Sequence, residues 1–283
     1  MDRGYLYMAL VITFWGLSYP LTKTALQAMS PFTLAFLRFS LGGVILLGWA
    51  RGLSYGVKQA INGVLNVAAF VVLLNLSVMF TSNPALSAVL AYTQPVFVLV
   101  LSATFLRQGI HPLQALGVVL AFTGVLISVG SLNFDLGSGL GLLAGLVWAV
   151  GTIYFRRNLT GEHKLRLNAF MSLLSALLVS PTLALDRGFR FSPVPIAAAL
   201  GVAIMAQALG FLLWFSAIGE LGVLRASSLS LLVPASAYLF TFLILGVRPT
   251  TLEVLGSATA MMGVFLSQWR VKSRGPEGGR KRN

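Results

Sequence analysis

The sequence predicts an all-α membrane protein in which ten transmembrane helices form two inverted five-helix repeats around a central cavity. Three observations carry that expectation. First, 57% of the 283 residues are apolar and only 10% are charged, whereas a soluble domain carries about 45–50% and about 25%. Second, apolar runs near the roughly 20 residues that a helix needs to cross about 30 Å of hydrocarbon recur ten times. Third, a stretch of the second half repeats a stretch of the first without a gap.

The ten runs are 5–26, 31–50, 60–79, 84–105, 112–130, 137–155, 167–185, 196–215, 223–245 and 250–269, each bounded by Gly, Pro or charge. The first ends in Ser18, Tyr19, Thr22, Lys23 and Thr24, too long and too polar for a cleaved signal peptide. The second carries Arg38, the third Asn66 and Asn75, and the fourth Tyr92, Gln94 and Pro95. Gly117 and Gly124 put a smooth stripe on the fifth. The sixth opens with Gly137, Gly141 and Gly145 at four-residue spacing, which allows close approach of a neighbour, and carries Trp148 and Thr152. Gln207 and Trp214 belong to the eighth, Ser230 and Pro234 to the ninth, and Gly256 and Gly263 to the tenth. The connections are too short to hold a separate soluble domain.

The formal charge of +13 does not make a nucleic-acid face. With both termini inside, 15 cations fall on the inner side, among them Arg3, Arg51, Lys58, Arg107, Arg156, Arg157, Lys164, Arg166, Arg225 and six tail residues. The outer loops hold three: Arg187, Arg190 and Arg248. This asymmetry follows the positive-inside rule and places the chain in the cytoplasmic (inner) membrane with both termini cytoplasmic. Arg187 and Arg190 run against the bias. The tail 270–283 is expected to be disordered and to lie against anionic lipid headgroups.

Residues 85–128 lie on 224–267 at an offset of 139, matching Pro95 with Pro234, Gly117 with Gly256, Ala121 with Ala260, Gly124 with Gly263 and Ser128 with Ser267. Trp15 matches Trp148 at an offset of 133. The chain thus divides into repeats 1–130 and 131–269. Five crossings per repeat make the second enter from the opposite face. Two inverted halves can exchange roles about a midplane site, which predicts a carrier working by alternating access on a small-molecule solute.

The first helix reads Phe14-Trp15-Gly16-Leu17-Ser18-Tyr19-Pro20-Leu21-Thr22-Lys23, followed by Leu37-Arg38-Phe39 in the second. With the Pro-containing fourth and ninth helices and the Gly-x6-Gly fifth and tenth, this resembles the EamA-type branch of the drug/metabolite transporter superfamily over about residues 5–269. The resemblance implies inverted five-helix repeats around a central cavity and export of small metabolites, often amino acids. Such proteins commonly carry an acidic residue after the fourth helix, where this chain has Arg107-Gln108.

Lys23 and Arg38 are the ionisable groups placed inside spans, where a charge costs at least about 2.5–3.5 kcal/mol on insertion scales. Both suit an anionic solute; the alternatives are snorkelling for Lys23 and neutralisation by carbonyls for Arg38. Ser18, Tyr19, Asn66, Tyr92, Gln94, Thr152, Gln207 and Ser230 are candidate solute contacts or interhelical hydrogen bonds. Asn66 and Gln207 occupy similar depths in equivalent helices. Trp15 and Trp148 are candidate cavity walls. Pro95 and Pro234 are candidate hinges, or fixed bends.

Every Asp and Glu falls at a helix end or in a loop, as do His111 and His163, and there is no cysteine. That disfavours a buried proton relay, so facilitated diffusion or exchange is expected over proton antiport. It also disfavours an enzyme, a metal site and a bound cofactor. The leading expectation is export of an amino acid or related carboxylate. The alternatives are an antiporter of phosphorylated or nucleotide-linked solutes, a multidrug exporter and, from a different class, a channel or lipid-handling protein. Membrane lipid is an expected partner, and a homodimer remains open.

Overall fold

The computed structural model describes residues 3–106, 110–129, 135–159, 161–185 and 189–267. Arg107, Gln108, Arg187 and the basic tail lie outside them. Among the described residues there are helices and connections and no strand. The helices are α1 (Arg3–Ala25), α2 (Pro31–Ala50), α3 (Val57–Gly63), α4 (Phe70–Phe80), α5 (Pro84–Ala91), α6 (Gln94–Leu106) and α7 (Pro112–Val129). The second half continues with α8 (Leu136–Asn158), α9 (Lys164–Val179), α10 (Pro193–Gly201), α11 (Gly210–Ser230), α12 (Val233–Leu245) and α13 (Thr251–Ser267).

The ends are set by local chemistry. Ser30 accepts the Thr33 amide at 3.1 Å ahead of Pro31, and Asp135 accepts the Ser138 amide at 2.7 Å. Each satisfies a donor that a helix start leaves unpaired. Thr250 and Glu253 exchange side-chain-to-amide bonds at the start of α13, a reciprocal capping box. Gly246 ends α12 at φ 67°, a left-handed turn natural to glycine.

Among the described residues, seven helical stretches are long and apolar enough to cross a membrane: Arg3–Ala25, Pro31–Ala50, Val57–Phe80, Pro84–Thr104, Leu136–Phe155, Lys164–Ala184 and Pro193–Trp214. Pro112–Ser128, Val233–Leu245 and Thr251–Ser267 are apolar but shorter. At 1.5 Å per residue, these three fall short of a full hydrocarbon thickness as straight α-helices.

Three features differ from a plain reading of apolar runs. The fourth run is broken at Tyr92-Thr93, and the ninth at Leu231-Leu232, with Pro95 and Pro234 just past each break. A proline has no amide to offer the preceding turn, so the helix restarts there. The gap expected between 215 and 223 is absent: helical hydrogen bonding runs through α11. Leu221 packs by Gly4, while Leu229 joins Met8, Val11 and Ala217. Third, Val64–Ala69 and Val202–Leu209 are π segments, with wider turns than their α flanks.

The halves interlock. α1 packs on α11 and α12, and α8 packs correspondingly on α4, α5 and α6. The most extensive contact joins α7 to α13, which run antiparallel. There Gly117 faces Gly263 and Ser267, while Gly256 faces Gly124 and Ser128; Gly124 faces Ala260, while Gly263 faces Ala121. Each contact maps onto its partner when residue n is exchanged with n+139.

Candidate functional site

Arg38 sits on the second turn of α2 and is 7% exposed. Its Nε donates to Gln207 Oε1 at 3.0 Å, and Gln207 Nε2 donates to Ser172 Oγ at 3.0 Å. Gln207 is fully buried, in the π segment of the second half. The approach is close because Gly42, one turn beyond Arg38, presents no side chain to the Gln207 stem. Among the described residues, the terminal nitrogens Nη1 and Nη2 of Arg38 meet no acceptor, yet they are not sealed from accessible space. A guanidinium with four free N–H donors is shaped for bidentate contact with a carboxylate or phosphate.

Two phenols share this region. Tyr19 lies within electrostatic reach of both Arg38 and Tyr92. Each tyrosine is 5% exposed, and among the described residues neither hydroxyl has a partner or is sealed off. Tyr92 occupies the break between α5 and α6 and packs edge-on to Trp148 at 5.7 Å; Trp148 stacks on Phe70 at 5.0 Å. The other half repeats the pairing: Trp15 packs edge-on to Phe211 at 5.8 Å and donates its indole N–H to Ala206 O at 3.2 Å. Trp214 leans on Trp15 at 5.5 Å.

The remaining candidates lie in other settings. Lys23 donates to the carbonyls of Val78 at 2.9 Å, Met79 at 3.0 Å and Thr81 at 2.6 Å, which occupies all three ammonium protons at the end of α4. Ser18 Oγ donates to Trp15 O within α1 at 2.6 Å. Asn66 donates to Asn62 at 2.9 Å and lies against Gly151, so Asn66 and Gln207 do not meet. Gln94 donates to Thr152 Oγ1 at 2.8 Å, joining α6 to α8. Ser230 is buried at the end of α11, and Pro95 and Pro234 are the second residues of α6 and α12.

Ser172 and Gly42 escaped sequence reasoning, since a serine and a glycine in apolar helices carry no distinctive pattern. Phe70 and Phe211 had a readable signal: each follows the paired amides Asn66 and Gln207 by four residues. No group of three or more His, Cys, Asp or Glu able to hold a metal occurs among the described residues.

A solved crystal structure shares this fold, with a TM-score of 0.69 and 18% identity over 93% of this chain and 96% of that one. An uncharacterized transporter of Archaeoglobus fulgidus is 27% identical over 271 residues, covering 93% of this chain and 98% of its own. A probable amino-acid metabolite efflux pump of Escherichia coli K12 is 28% identical over 285 residues, covering 94% of each chain. The EamA-like transporter family matches twice, over residues 2–130 and 135–269. The chain is therefore an integral membrane transporter and not an enzyme, and it belongs to the EamA-like transporter family.

Proposed function

We propose that this protein is a ten-helix secondary transporter that exports an amino acid or related carboxylate-bearing metabolite by alternating access. The units are 1–130 and 131–269, inserted in opposite directions in the cytoplasmic (inner) membrane, with both termini and the basic tail inside. The reciprocal contacts of α7 and α13 support the inversion. Antiparallel helices whose contacts survive exchange of n with n+139 are related by a two-fold axis across the pair, which for spanning helices lies in the membrane plane. The name of the Escherichia coli relative supports the solute class.

The carrying observation is the Arg38 guanidinium, buried with its terminal donors unengaged and within electrostatic reach of Tyr19. A charge left in that state is costly, and a solute carboxylate would recover the loss in the bound state. The carboxylate would sit on Nη1 and Nη2, the phenols would donate to the same group, and Gln207 would hold the guanidinium plane. Trp148 and Phe70 would line the path of the solute's apolar part.

The test is counterflow in proteoliposomes. Solute preloaded inside should accelerate entry of labelled amino acids through the wild type. Arg38→Gln should weaken apparent affinity about 10- to 100-fold, the loss of a charged hydrogen-bonding partner worth about 1.5–3 kcal/mol. Undiminished transport of carboxylate solutes by Arg38→Gln would remove Arg38 from the site, and entry insensitive to preloading would point to a pore.

A further inference from the structure

Lys23 has a task that solute binding does not use. Its ammonium bridges from the last turn of α1 to the Val78, Met79 and Thr81 carbonyls at the end of α4. Those groups terminate a helix, lack intrahelical partners and carry the negative end of its dipole, so a cation is the natural cap. The cap here comes from a different helix, which makes it a clasp. Thr81 also abuts Gly137, and Ser77 donates to Gly137 O at 2.8 Å, so α1, α4 and the start of α8 are gathered at one end.

The repeat supplies a counterpart. The register that lays Trp15 on Trp148 lays Lys23 on Arg156, near the C-terminal end of α8. The 139-residue register lays Val78, Met79 and Thr81 on Ala217, Ile218 and Glu220 of α11. The two ends are not packed alike. α1 packs on α4 and α5, whereas among the described residues α8 makes no contact of that extent with α11. On that side a surface cleft of about 350 Å³ opens, lined by Glu162, His163, Lys164, Leu165, Leu212 and Ser216.

Resting on the alternating-access reading, we propose that Lys23 is a gate residue that clasps α1 to the end of α4 and holds the outer mouth shut in the inward-facing state. It does not touch the solute. The outer mouth opens when the clasp releases, so the clasp sets the balance between the two states.

The chain has no cysteine, so single reporters can be read without background. Ala85, fully buried at the start of α5 in the same apolar cluster as Val78, reports the outer mouth as Ala85→Cys. Ser216, in the cleft, reports the inner mouth as Ser216→Cys. Each is labelled with a membrane-impermeant maleimide from its own side of oriented vesicles. Lys23→Met should speed outer labelling of Ala85→Cys about fivefold and slow inner labelling of Ser216→Cys, a population shift. Lys23→Arg should stay near the parent because it keeps the cation. The proposal is overturned if Lys23→Met speeds both reporters, which marks a helix prop, or changes neither. If the reporters shift as expected while no tested solute shows counterflow, the gate stands and the carboxylate reading fails.

Discussion

Replacing Gly42 by alanine should damage the site without touching any of its polar atoms. A Cβ at Gly42 would lie 2.5 Å from Gln207 Cγ, 2.8 Å from Gln207 Cβ and 3.3 Å from Ala203 O. The stem of Gln207 is pinned to its own backbone, so α2 and the π segment must separate. Overpacking of this kind costs about 1–3 kcal/mol. A retreat of about 1 Å also breaks the 3.0 Å bond from Arg38 Nε to Gln207 Oε1, and a hydrogen bond to a charged group contributes about 1.5–3 kcal/mol. The two losses together reach about 2.5–6 kcal/mol. The control lies on the same helix: a Cβ at Gly48 meets nothing within 4 Å. Gly48→Ala should therefore be neutral, or stabilising by up to about 1 kcal/mol through helix propensity. Thermal unfolding of the purified protein in detergent measures both, with and without a transported solute. Gly42→Ala should melt roughly 5–15 °C below the parent and lose solute protection. Equal melting temperatures and equal solute protection for the two variants would refute the argument.

The symmetric helix pair predicts matched costs. Gly124→Ala and Gly263→Ala each place a Cβ on the facing backbone, 2.6 Å from Gly256 O and 2.7 Å from Gly117 O respectively. Both should lower thermal stability by a similar amount, and a clear difference between them would show that the two contacts are not equivalent. Among the described residues Asp135, Glu162, Glu253, His111 and His163 lie at helix ends or in connections and Glu220, within α11, is exposed, so collapse of the pH gradient with an ionophore should leave counterflow unchanged. Uphill solute movement driven by pH alone would contradict that.

The span ends were largely legible because they rest on chemistry that local sequence carries. Asp135 and Ser30 cap helices, Gly246 ends one, and Pro95 and Pro234 follow breaks. Arg38 was conspicuous, since a guanidinium inside an apolar run is a cost that asks for an explanation. Its partners were not legible: Gln207 lies 169 residues away in sequence and Ser172 is one of several serines in apolar helices. The setting of Lys23 was hidden for a related reason. Three carbonyls of another helix hold it, and a backbone acceptor is the same whatever residue bears it. The uninterrupted hydrogen bonding of α11 was equally obscure, because Gly219 and Gly222 read as a loop in an apolar chain and tertiary contacts override that preference.

The two π segments bear on the history of the chain. A π turn arises when one extra residue enters an α-helix and the ladder stretches around it. Val64–Ala69 and Val202–Leu209 occupy corresponding places in repeats that match one family separately. One insertion in a half-length ancestor, inherited by both copies at duplication, accounts for the pair with a single event. Two later insertions would have had to land at the same point independently.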